Sequence, residues 1–189
     1  MKAQDLRLFI LAVALSVISF ACSSDDPEPV DPPELITTLM VTFSNNAITG
    51  DVVTAIFRDL DGPGGNDPEL TNPTLSANSS YTVTLAFLNE QENPAEDITA
   101  EVREEDEEHQ VFFFRGQGLN IVQTYDDTDA NGFPLGLTST LTTAAASSGT
   151  YTVVLVHEPI KDAAGVSEGN LNNAGGEEDI RVAFTMTIE

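Results

Sequence analysis

Strict alternation of apolar and polar residues is the strongest constraint in this sequence, and it is cleanest near the carboxyl end. Ile180, Val182, Phe184, Met186 and Ile188 take every second place, with Arg181, Ala183, Thr185 and Thr187 between them. A strand sends successive side chains to opposite faces, so this period of two describes a strand with one buried face. The pattern recurs in Leu39, Val41 and Phe43 against Thr38, Met40 and Thr42, and in Tyr81, Val83, Leu85 and Phe87 against Thr82, Thr84 and Ala86. Further strands are expected over 52–57, 110–115, 119–125, 135–141 and 151–157, parted by Gly, Asn, Asp and Pro. About eight strands of this spacing predict an all-β fold, an antiparallel immunoglobulin-like β-sandwich. The run Val111-Phe112-Phe113-Phe114 lacks alternation and fits a strand buried on both faces. Only residues 96–107 read as helix, with Ile98 and Val102 four apart, and they predict one short surface helix crossing between the sheets.

The first 26 residues follow another rule. Lys2 and Arg7 precede an apolar run, 8–20, that leads into Ala21-Cys22-Ser23-Ser24-Asp25-Asp26. A basic head, an apolar run inside the ~7–15 residue window and a small residue before the cut describe an export signal. The run is shorter than the ~20 residues a spanning helix needs. The segment resembles the bacterial lipoprotein signal, which implies that Cys22 becomes the first mature residue and carries the lipid. Ser19 stands where many such signals have leucine. Looser forms are common among lipoproteins of the Bacteroidetes, and the serine and acid start after Cys22 resembles their tag for the outside of the outer membrane. The expected division is a signal peptide over 1–21, an acidic proline-rich tether over 22–34 and the sandwich domain over 35–189. Pro27, Pro29, Pro32 and Pro33 make the tether an extended spacer. The expected location is the outer membrane, reached through the lipid anchor and facing the cell surface, with the periplasmic face as the alternative.

Cys22 is the only cysteine, so no internal disulfide staples the fold and the core must supply its stability. Charge is extreme: 31 acidic residues stand against 7 basic ones, a net charge of −24. Such a field repels phosphate backbones and excludes nucleic acid as a partner. It attracts cations, and it also keeps an exposed protein soluble. Ten of the acids lie in the crossing segment 90–108, against the single base Arg103. A second unusual stretch runs for about twenty residues between His157 and Asp179, rich in Gly and Asn and too long for a plain hairpin, a length at which loops are usually functional or mobile. If both lie at one end of the sandwich, they make an acidic mouth.

Asp127-Thr128-Asp129-Ala130-Asn131-Gly132 carries the best metal-ligand spacing. Asp127, Asp129 and Asn131 offer alternate oxygens before a glycine turn, as in the first half of a calcium loop, although Thr138 stands where the closing glutamate would be. The same residues also suit a plain turn, since Asp and Asn bond their own main chain. Asp59, Asp61 and Asp67, around Gly62, Gly64 and Gly65, repeat the argument more weakly. His109 and His157, the only histidines, have Glu108 and Glu158 beside them, so they offer a transition-metal pair if their strands are neighbours and hydrogen-bonded rim residues otherwise. Gly165-Val166-Ser167-Glu168-Gly169 has the spacing of a hydrolase elbow, but no histidine follows Ser167, so no enzyme is expected.

The Cys22-Ser23-Ser24-Asp25-Asp26 start, the Glu108-His109-Gln110 step into an aromatic strand, the 125–137 loop and the two ends of the loop, His157-Glu158-Pro159 and Asp179-Ile180, together resemble small flavobacterial surface lipoproteins of uncharacterised role. Such proteins are sometimes labelled as the type 1 periplasmic binding fold. That fold needs two parallel α/β lobes, whereas the alternation here implies antiparallel β. The function expected is a non-enzymatic binding or accessory module whose acidic end loops contact a cation, a glycan or an envelope protein. The alternative is a purely structural envelope protein made rigid by calcium.

Overall fold

The computed structural model describes residues 34–189. Cys22, the signal peptide and all of the tether except Glu34 lie outside the described residues. Ten strands and one helix follow in order: β1 (Thr38–Asn45), β2 (Val52–Arg58), β3 (Glu69–Thr71), β4 (Thr74–Leu75), β5 (Ser80–Leu88), α1 (Ile98–Glu104), β6 (His109–Arg115), β7 (Ile121–Tyr125), β8 (Thr138–Thr143), β9 (Ser147–His157) and β10 (Glu177–Ile188). They form two sheets, one of six strands in the order β3-β2-β1-β5-β8-β7 and one of four in the order β4-β10-β9-β6. Every pairing is antiparallel except the short parallel contact of β4 with β10. The protein is an all-β sandwich. Among the described residues no helix is long and apolar enough to cross a membrane.

The alternation explains the core directly. Leu39, Val41 and Phe43 of β1, Val83, Leu85 and Phe87 of β5, and Val182, Phe184, Met186 and Ile188 of β10 are all buried between the sheets. Two strands were not foreseen. β3 and β4 are only three and two residues long, too short to show a period, and both sit at sheet edges. The helix is also shorter than the 96–107 expected, but it does cross from β5 in one sheet to β6 in the other. Ile98 and Val102 drive it into the main core, and the Thr99 hydroxyl bonds the Phe87 main chain, donating to its carbonyl at 3.1 Å and accepting from its N–H at 2.9 Å.

The smaller sheet is buried on both faces where β6 and the second half of β9 run side by side. Val111 of β6 and Val153 and Leu155 of β9 face the main core, while Phe112, Val154 and Val156 form a second cluster on the opposite face with Val166 and Ala174. The cover is the long Gly/Asn stretch, which is a packed cap rather than an open loop. Gln110 Nε2 ties it down by donating to the Val166 carbonyl at 3.1 Å, and a 3-10 turn, Leu171–Asn173, is capped by the Asn170 side chain. Gly176 brings the cap back to β10 with φ +68°, and any Cβ there would collide with the His157 carbonyl, so glycine is required.

Val166 should therefore act as the pin of the cap. Val166→Ala removes two methyl groups at ~0.8 kcal/mol each and is expected to cost about 2 kcal/mol. Hydrogen exchange should speed up in residues 158–176 before it does in β1 or β5, whereas a uniform loss of protection would show that the cap and the main core open together.

Candidate functional site at the acidic end

All the unusual segments meet at one end of the sandwich. The crossing 89–108 leaves the end of β5 there, the 59–68 loop leaves β2, the 126–137 loop joins β7 to β8, and the cap leaves β9. Direct bonds tie them together. Gln91 Nε2 donates to the Leu60 carbonyl at 3.0 Å, Glu158 N–H donates to the Glu108 carbonyl at 2.6 Å, and Lys161 Nζ donates to the Asp106 carbonyl. Glu34, where the chain enters the domain, is at the same end, its N–H donating to Asp179 Oδ1 at 3.2 Å. The acidic crossing and the Gly/Asn segment thus converge, as the mouth required.

The carboxylates that the sequence singled out in the two loops, and Glu90 beside them, are mostly partnered already. Asp127 accepts from the N–H of Gly136 at 2.7 Å and of Thr138 at 2.8 Å, closing its own loop. Asp129 Oδ1 accepts from the N–H groups of Asn131 and Phe133, both at 2.9 Å, and its Oδ2 receives Lys161 Nζ at 2.9 Å. Burial pushes the Asp129 carboxyl up, but Lys161 and these amides outweigh it and hold it below its ordinary range. The position a cation would take beside Asp129 is filled by the chain's own ammonium. Asp59 Oδ1 accepts from Gly62 N–H at 2.9 Å, and Asp61 accepts from the Asn66 main chain at 3.0 Å and side chain at 2.6 Å, which holds the Asp61 carboxyl low. Asp67 lines the same surface cavity, but Asp59, Asp61 and Asp67 do not bring three ligand atoms together. Glu90 is gripped by Arg58 through two bonds of 2.9 and 2.8 Å and by the Thr38 hydroxyl, which pulls its carboxyl down to about 2.

The two histidines differ. β6 and β9 are neighbours, and their register sets His109 directly opposite His157, so the rings stack with centroids 4.7 Å apart and planes 6° from parallel. Both are buried, not rim residues, because α1, the 105–108 turn and β10 close over the strand ends. His109 Nδ1 lies 3.2 Å from the Glu105 carbonyl, which can only accept, so Nδ1 carries the proton and Nε2 presents a lone pair. That Nε2 has no hydrogen-bond partner. It faces Asp179 Oδ2, also unpartnered and fully enclosed, at 3.9 Å. His157 Nε2 is likewise unpartnered, 4.0 Å from Glu108 Oε2. Burial lowers the pKa of His109.

Asp179 is in this pocket because of a β-bulge. β10 pairs Glu178 with Val156 and then Ile180 with Leu155, leaving Asp179 as the extra residue. Its parity with Arg181 and Ala183 assigns it to solvent, and the bulge turns it inward instead. Burial pushes its carboxyl up to about 6. Beside it, burial and the nearby Glu101 push Glu34 up to about 7. Among the described residues, Glu34, Glu105 and His109 form the acid and histidine trio whose ligand atoms all lie within 4.8 Å of one another.

A separate cleft of about 320 Å³ opens between the edge strands β6 and β7, lined by Phe113, Arg115, Gln123, Tyr125, Tyr151 and Glu168. Phe113 stacks between Tyr125 and Tyr151, with ring centroids 5.8 and 6.3 Å away. The aromatic run on β6 is therefore core at Phe112 but cleft wall at Phe113. Ser167, in the cap, has only a 3.5 Å bond to the Lys161 carbonyl and neither histidine beside it. Comparison with protein-family models, curated proteins and solved structures finds no match to this chain.

Two outcomes follow. Lys161→Met strands the buried Asp129 carboxylate and should cost about 3–5 kcal/mol, read by urea unfolding; a loss below ~1 kcal/mol would mark the pair as solvated. Asp179 gives a pH signature. Its folded pKa, about 6, is above the ordinary 3.8, so the folded state keeps a proton that the unfolded chain releases. The stability linked to that proton is complete below about pH 4 and is lost as pH rises through 6. In chelator-treated protein, Asp179→Asn should gain on the wild type by on the order of 2–3 kcal/mol between pH 4 and 7, at about 1.4 kcal/mol per pKa unit. A pH-independent difference would mean that Asp179 does not carry the shift.

Proposed function

We propose that the protein is a lipid-anchored, non-enzymatic binding or accessory module of the cell envelope, and that the acidic end is its binding face. The observation that carries this reading is the convergence of four loops and the chain entry around unpartnered, buried His109 and Asp179. Buried polar groups left without partners cost folding free energy, and they persist mainly where a ligand or a reaction uses them. The net charge of −24 favours a cation or a cationic patch on a partner over an anionic one. Absence of a histidine near Ser167, and of any other nucleophile paired with a base at this end, favours binding over catalysis. Calcium rigidification has less support, because Asp127 and Asp129 spend their oxygens on main-chain amides and Lys161.

The lipid anchor rests on the resemblance of the 19–26 segment to lipoprotein signals. An acyl pair contributes ~0.8 kcal/mol per buried methylene, enough to hold a small domain at a bilayer. Cys22→Ser should move the protein from the membrane to the soluble fraction, and continued membrane fractionation would remove the anchor from the account. A photo-crosslinker placed at exposed Glu104 or Glu107 should give a discrete adduct in intact cells, while one at Ala183 on the outer face of β10 should not. Equal labelling at both places would sink the binding-face reading.

A further inference from the structure

The gap between His109 Nε2 and Asp179 Oδ2 identifies what is missing from the acidic end. At 3.9 Å it exceeds the 2.7–3.2 Å of a hydrogen bond, yet both atoms are enclosed and neither has another partner. An imidazole lone pair and a carboxylate lone pair repel each other unless something positive stands between them. Two ligands each about 2.1 Å from one ion can be at most about 4.2 Å apart, so the separation suits a shared metal. The rest of the surroundings follows the same logic. His109 donates its other ring proton to the Glu105 carbonyl, the outer-shell bond that orients metal-ligating histidines. His157, stacked on the ring, fixes its plane. Glu34 and Glu105 add carboxylates within 4.8 Å of the same imidazole and each other, Glu105 Oε2 on the Nδ1 side at 4.0 Å.

We propose that His109 Nε2 and Asp179 Oδ2 bind one first-row transition-metal dication of the zinc or cobalt class, with the Glu34 and Glu105 carboxylates as neighbouring negative charge. The proposal rests on the reading of this end as a binding face and names its ligand. A mixed nitrogen and oxygen donor set suits zinc, cobalt or nickel, whereas calcium and magnesium prefer oxygen alone. Because the Glu34 N–H donates to Asp179 Oδ1, an ion on Asp179 would also steady the chain entry against β10.

The test uses the full chain, purified in detergent and stripped with a chelator. Titration with Co²⁺ should show one equivalent bound, with visible absorption bands from nitrogen and oxygen coordination, and Zn²⁺ should displace it while equal Ca²⁺ or Mg²⁺ does not. Asp179→Asn should weaken uptake at least about a hundredfold and Glu34→Gln about tenfold, while Asp129→Asn in the neighbouring loop leaves it unchanged. Since His109 variants risk misfolding, Glu34→Gln, nearer the surface, decides the matter. No stoichiometric uptake, uptake indifferent to both Asp179→Asn and Glu34→Gln, or displacement of Co²⁺ by Ca²⁺ would each overturn the proposal. Crosslinking from Glu104 that persists in metal-free protein would leave the binding face standing when the metal fails. Metal uptake without any crosslink would do the reverse.

Discussion

The structure depends on β9 being buried on both faces while paired on both edges. Val153 and Leu155 hold the main core, Val154 and Val156 hold the second cluster, and the ladders to β6 and β10 leave no freedom of register. Side chains alternate along a strand, so a slip of one residue against either neighbour would exchange the two faces and strand the apolar side chains opposite the wrong cover. The cap over 158–176 belongs to the same constraint, since without it Phe112, Val154 and Val156 would meet water. That register also sets His109 opposite His157. Core and candidate site therefore share one cause, and the imidazoles are stacked as firmly as the valines beneath them are packed.

How this end handles its carboxylates separates the ordinary from the unusual. Each way of stabilising a desolvated acid is represented: Arg58 forks onto Glu90, Lys161 meets Asp129, and main-chain amides hold Asp127 and Asp59. These are structural solutions, and the loops they close are well ordered by them. Glu34 and Asp179 are treated differently. They lie beside His109, whose free nitrogen accepts rather than donates, and their carboxyls are pushed up. A chain that solves the same problem three ways nearby, and leaves it open at one point, marks that point as one where function outweighed stability.

Much of the fold was legible because strands exposed on one face announce themselves by period. β1, β5 and β10 could be read residue by residue, and the non-alternating aromatic run correctly implied double burial of β6. β3 and β4 could not be read, since two or three residues show no period. The cap was mistaken for an open loop because its apolar content, Val166, Leu171 and Ala174, is spread thinly among Gly and Asn and matches neither strand nor helix spacing. At the site, the histidines were visible as a pair awaiting a neighbour relation that only the sheet order supplies. Asp179 was hidden for a sharper reason. Parity assigned it to solvent, and a bulge reverses parity without leaving a mark in composition. Conversely, the Asp127, Asp129 and Asn131 spacing looked like a cation loop because turn chemistry and calcium chemistry recruit the same side chains, and nothing local revealed that Lys161, thirty-two residues on, would reach Asp129.

The position of Glu34 adds one further step. The chain enters the sandwich at the acidic end through Glu34, whose N–H donates to Asp179 Oδ1. Salt confines the field of exposed acids to about 8 Å, so the charges felt at this end are those of its own loops. Divalent cations gather in such a field. A buried nitrogen and carboxylate pair beneath that field is then placed where the local concentration of its ligand is raised, which gives the excess of acids on the crossing a role in supply as well as in solubility.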